Sequence, residues 1–98
     1  MIQARLLLSG TVTGTASAIT ALTGYTAPSI QESSRAIITA RTGGIMFTYD
    51  GTTPTAAIGH YLGANQNIAV EGRDNIGRLK FIREASTSCD LTITLESD

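Results

Sequence analysis

Residues 89–96 read Cys-Asp-Leu-Thr-Ile-Thr-Leu-Glu, an alternation without a fault. Cys89, Leu91, Ile93 and Leu95 fall on one side, and Asp90, Thr92, Thr94 and Glu96 on the other. Successive side chains of an extended chain point to opposite faces, so a period of two with one apolar side predicts a half-buried β-strand. Just upstream, Leu79 and Phe81 alternate with Arg78 and Lys80, and 84–88 supplies a loop between them. The two runs are expected to pair as a C-terminal hairpin.

The same period returns further back. Ala36, Ile38 and Ala40 alternate with Arg35, Thr39 and Arg41, and Ile45, Phe47 and Tyr49 form a second run. Between them Thr42-Gly43-Gly44 offers glycines able to take positive φ, which predicts another hairpin. Asp50-Gly51 closes that strand, and Pro54, which has no N–H for a ladder, places 52–59 in a loop or on an edge. Asn67–Glu71 is a short strand with Ile68 and Val70 inward, and Gly72–Gly77 reads as a turn. At the start Ile2, Ala4, Leu6 and Leu8 alternate with Gln3, Arg5 and Ser9 as a first strand. Residues 10–23 are rich in Thr, Ala, Ser and Gly, fitting a strand or a strand and loop; 25–34, with Pro28, reads as a loop. No window of eleven or more residues carries a helical period. Six to eight short strands predict an all-β fold: a single antiparallel β-sandwich over residues 1–98, jelly-roll-like in form.

Composition narrows the function classes. Charged residues make up 15% of the 98, against about 25% in a typical domain. The surface is therefore rich in small polar residues or partly covered by other subunits. Seven basic residues stand against eight acidic ones, for a net charge of −1. A nucleic-acid binder would gather a basic excess on one face, so neither nucleic acid nor membrane is expected as a partner. The segment MIQARLLLSG is too short in apolar residues for a signal-peptide core or a membrane span, so secretion is not expected. Cys89 is the one cysteine, which excludes an intrachain disulfide or a cysteine metal site; its place on the apolar side of its strand makes it a small core residue.

No constellation for catalysis emerges. His60 is the single histidine, and none of the serines sits in a Gly-x-Ser-x-Gly elbow. The carboxylates are scattered, and Asp50 and Asp74 lie in glycine-containing turns where Asp bonds its own backbone. With no Trp and five aromatics, the deep aromatic cleft of a glycosidase is not expected. Asp50, Asp74 and Asn75 offer oxygen ligands but no calcium-loop spacing, and 72–77 fails the phosphate-loop pattern. No catalytic residue, cofactor or metal is expected. Phe47, Tyr49 and Phe81 share an inward face and read as core, which leaves Tyr25 and Tyr61 as the freer aromatics.

From Arg35 to Ile82 the order of pieces is distinctive. A strand ends in an aromatic and is followed by Asp50-Gly51-Thr52-Thr53-Pro54-Thr55, then Gly59-His60-Tyr61-Leu62. A short strand closing in Glu71-Gly72 follows, then a turn and Leu79-Lys80-Phe81-Ile82. This order resembles a family of small β-sandwich proteins encoded among the virion genes of tailed bacteriophages, usually head decoration (cement) proteins or related virion-associated components. The resemblance covers about half the chain. It implies a non-enzymatic virion protein that is made in the host cytoplasm and stabilises an assembled head. The implied partners are the major capsid protein or other virion proteins, together with further copies of itself as a dimer or trimer. The alternative is a tail-associated or carbohydrate- and host-surface-binding sandwich. Arg35, Arg41, Arg73 and Arg78, on polar strand faces or in turns, and Tyr61, in a loop, are the expected partner contacts.

Overall fold

The computed structural model describes residues 2–26, 33–84 and 88–97. Eight strands form two antiparallel sheets packed face to face. They are β1 (Gln3–Val12), β2 (Ser17–Ala18), β3 (Arg35–Arg41), β4 (Ile45–Thr48), β5 (His60–Leu62), β6 (Asn67–Glu71), β7 (Lys80–Arg83) and β8 (Cys89–Ser97). Sheet A has the order β1-β8-β3-β6 and sheet B the order β2-β7-β4-β5. The all-β antiparallel sandwich expected from the periodicity is what the chain forms.

The two hairpins expected from the sequence are not hairpins. β3 lies in sheet A and β4 in sheet B, so Thr42-Gly43-Gly44 is an arch that carries the chain across the core. β7 and β8 are separated in the same way. Only β4 and β5 are consecutive strands of one sheet. Arch and hairpin place identical demands on local sequence; the difference is that an arch lets both strands turn their apolar sides toward each other. The first arch bends at Thr42, with φ +65°, rather than at either glycine. A β-branched residue is costly there, and its hydroxyl is tied at both ends: it donates to the Arg41 carbonyl and accepts from the Asp90 N–H at 3.3 Å.

The core lies between the sheets. Leu8 and Val12 of β1, Ala36, Ile38 and Ala40 of β3, Ile45 and Phe47 of β4, Phe81 of β7, and Cys89, Leu91, Ile93 and Leu95 of β8 are all fully or nearly fully buried. Phe47 and Phe81 are direct cross-strand partners. The inner side of β8 is the one read from its alternation. β1 runs on to Val12, with a bulge at Ala4–Leu6. After β2 a 3-10 turn (Ile19–Ala21) sinks Ile19 and Leu22 into the core. Residues 72–77, read as a turn, instead contain a one-turn helix α1 (Arg73–Gly77) that buries Ile76. Two expected inward residues are only half covered. Ile68 lies opposite Ile38 on the inner side, but β6 is an edge strand and Ile68 stays 38% exposed; Tyr49 is also 38% exposed. The loop expected over 25–34 lies largely outside the described residues, as does most of the 84–88 loop.

Cys89 has no exposed surface, and its thiol donates to the carbonyls of Arg41 and Gly43 at 3.1 and 3.0 Å. Burial pushes the thiol pKa up, so the reactive thiolate is scarce even in mild alkali. Native protein at pH 8 is expected to react with iodoacetamide at least about tenfold more slowly than protein unfolded in urea. Equal rates, followed by mass spectrometry, would show that the arch opens freely.

Candidate functional site

The long β4–β5 connection determines what lies at one end of sheet B. Asp50 Oδ1 accepts the Thr52 N–H at 3.0 Å, the Asx turn expected of Asp-Gly. Thr55 then caps a second tight turn, accepting from the Ala57 and Ile58 N–H groups at 3.2 and 3.0 Å. Gly59, at φ +134°, lets the chain re-enter the sheet hard against Phe47; an added Cβ would lie 3.0 Å from the Phe47 carbonyl oxygen. The register then sets His60 opposite Phe47.

Three rings cluster as a result. His60 and Tyr49 stack with centroids 5.5 Å apart and planes at 21°, and Phe47 lies 5.5 Å from His60 and 6.4 Å from Tyr49. Thr48, Tyr49, Asp50, Thr52, Ile58, Gly59 and His60 line an open cleft of about 410 Å³. On its far side Tyr49 walls a smaller hollow of about 240 Å³ with Ile68, Val70, Glu71 and Asn75. The Thr52 backbone N–H, the Thr52 hydroxyl and, more weakly, His60 hold the Asp50 carboxyl below its ordinary range. The cleft therefore presents a fixed carboxylate beside aromatic and aliphatic surface. Its lining holds no serine, cysteine or lysine. Among the described residues no group of three or more His, Cys, Asp or Glu could hold a metal ion, and no helix is long and apolar enough to cross a membrane.

The Asp50 shift is open to direct measurement. Its carboxyl midpoint in an NMR titration is expected below the ordinary 3.9. Thr52→Val, which removes the hydroxyl and keeps the N–H, should move it only part of the way back. Because the folded value is the lower one, whatever this group adds to stability is present above the unfolded pKa. That contribution is lost as pH falls through the folded pKa.

The five expected contact residues do not share one surface. Arg35 and Arg41 stand at the two ends of β3 on the outer face of sheet A. There Arg35 Nε donates to Glu96 Oε1 at 2.7 Å, while Arg41 makes no ion pair among the described residues. Arg73 opens α1 and Arg78 follows its last residue, and the two line a polar hollow of about 430 Å³ with Gly72, Asp74 and Asn75. Tyr61 is in β5 rather than a loop, opposite Met46 on the outer face of sheet B, and is 60% exposed. Its ring lies across Gly44, where an added Cβ would meet Cε1 at 2.8 Å. Sequence reasoning missed the pairing of Tyr49 with His60, eleven residues apart, and missed Leu7, which is 61% exposed on sheet A. Alternation gave the inner face of Tyr49 but assigned no face to His60 or Leu7, and the neighbours of all three depend on strand register. Set against protein-family models, curated proteins and solved structures, the chain finds no match in any of the three.

Proposed function

We propose that the chain is a non-enzymatic structural component of a bacteriophage virion, a capsid decoration protein that binds the assembled head and stabilises it. The observation that carries this reading is the strand order. With the strands numbered along the chain, the order 1-8-3-6 against 2-7-4-5 is compatible with an eight-stranded jelly roll, an architecture that capsid domains share with lectins and cupins. The order of pieces from Arg35 to Ile82, with its resemblance to head decoration proteins, supports the same reading, as does the low charge of 15%. In this role the protein acts by burying surface and by arginine hydrogen bonds across subunit boundaries, with the major capsid protein or other virion proteins and further copies of itself as partners. Arg35, Arg41, Tyr61, Arg73 and Arg78 remain the proposed contacts, and the site of action is the virion after synthesis in the host cytoplasm.

Purified protein is expected to co-sediment with assembled heads of the phage that encodes it and to raise their resistance to heat. Heads that sediment without it would remove the reading. A second reading, a tail-associated or host-surface module for carbohydrate, is favoured by one observation: the open cleft beside the stacked Tyr49–His60 pair. Aromatic rings next to a carboxylate suit a sugar ring. A glycan array with no signal above background would exclude it.

A further inference from the structure

The registers of sheet A can be read straight across all four strands. Leu7 lies opposite Thr94, Thr94 opposite Ile37, and Ile37 opposite Ala69. The next outward row is Ser9, Thr92, Thr39 and Asn67. Beyond it come Thr11, Asp90 and Arg41, and at the other end Ala4, Glu96, Arg35 and Glu71. Residues directly opposite share a face, so these rows compose the outer face of sheet A. Its centre is apolar and threonine-rich, Leu7 is 61% exposed, and each end of the central β8–β3 pair carries one acidic and one basic residue.

We propose that this face is a twofold interface with a second copy of the chain, its axis parallel to the strands between β8 and β3. The charge pattern selects both the partner and the axis. Rotation about that line lays β8 over the other copy's β3 and β1 over its β6. Asp90 of each copy then meets Arg41 of the other, and Glu96 meets Arg35. Leu7 meets Ala69, and Ile37 meets Thr94, large residues against small ones. A twofold perpendicular to the strands would instead lay β3 on β3 and β8 on β8, setting Arg41 against Arg35 and Asp90 against Glu96. Like charges so placed oppose association. Sheets packed about 10 Å apart with strands within roughly 30° of parallel bring long side chains such as Arg41 into reach.

The size of the face sets the strength. Four strands about 4.8 Å apart and four rows about 7 Å apart span roughly 500 Å² per copy. Two copies give about the minimum of 1,000 Å² for a specific interface, so the dimer dissociates on dilution. The inference specifies the self-association that the proposed function expects and rests on that reading in this respect alone.

Sedimentation velocity up to about 1 mM protein tests it. Wild type is expected to show a monomer–dimer equilibrium. Leu7→Arg, Arg41→Asp and Asp90→Arg should each raise the dissociation constant about tenfold or more. Mixing the Arg41→Asp and Asp90→Arg proteins restores attraction in both of the symmetry-related contacts at that end of the axis, so the mixture should dimerise to within about threefold of wild type. A fold defect could not be repaired by mixing, and circular dichroism of each variant checks the fold separately. A wild type that stays monomeric, a trimer, or a dimer indifferent to the three substitutions would overturn the proposal. A dimer that ignores heads would leave this interface standing and remove the decoration reading, whereas a monomer that binds heads would do the reverse.

Discussion

Phe81→Ala is expected to lower the free energy of unfolding by about 3–5 kcal/mol, measured by urea denaturation. The ring has no exposed surface and faces Phe47, which is 1% exposed, across the β7–β4 ladder. These are the two largest side chains of the core, so truncating one leaves a void that short neighbouring strands cannot collapse to fill. A domain this size has about 5–15 kcal/mol in all, so the variant loses a large share of it and its urea midpoint should fall clearly below that of wild type. A loss under 1 kcal/mol would mean that sheet B is not the packed layer described above.

Gly24→Ala should cost about 2–3 kcal/mol in the same assay, a large effect for one added methyl group. Two causes act together. Gly24 has φ +96°, and its added Cβ would sit 2.7 Å from the Leu7 carbonyl oxygen. That oxygen is backbone of β1 and cannot swing aside, and the neighbouring Thr23 is bonded to Ser9 in both directions, at 3.1 and 2.7 Å. Gly51→Ala separates the causes. Gly51 has a similar φ of +92° with nothing within 4 Å of a Cβ, so it carries the backbone strain alone, about 1 kcal/mol. Equal losses for the two variants would show that the contact with β1 is not rigid.

The extent to which the sequence could be read follows from what each feature depends on. Alternation depends on one strand and one core, so the inner side of β8 and the apolar sides of β3 and β4 could be read directly. Pairing depends on which sheet a strand joins. Three residues at Thr42–Gly44 serve an arch as well as a hairpin, and the choice rests on distant partners such as Asn67–Glu71 for β3. On β4, Met46 and Thr48 are buried as well as Ile45 and Phe47, which an alternating pattern does not announce. At Met46 the reason is the cross-strand neighbours Tyr61 and Ile82 on the outer face. Helix α1 is a single turn, too short for a 3.6-residue period to register. The site suffered most. Tyr49 and His60 meet through the β4–β5 register, and the face around Leu7 is assembled from four strands spread over most of the chain.

The position of β8 between β1 and β3 has a consequence for how the protein is born. Of the eight described strands the latest in chain order, β8, is the one that joins β1 to β3. Until it emerges from the ribosome, β1 has no ladder partner in its own sheet, and Leu6-Leu7-Leu8 waits with its backbone groups unpaired. Sheet A therefore cannot close until β8 has been made. A chain cut short by even the nine residues of β8 is expected to be aggregation-prone rather than merely less stable.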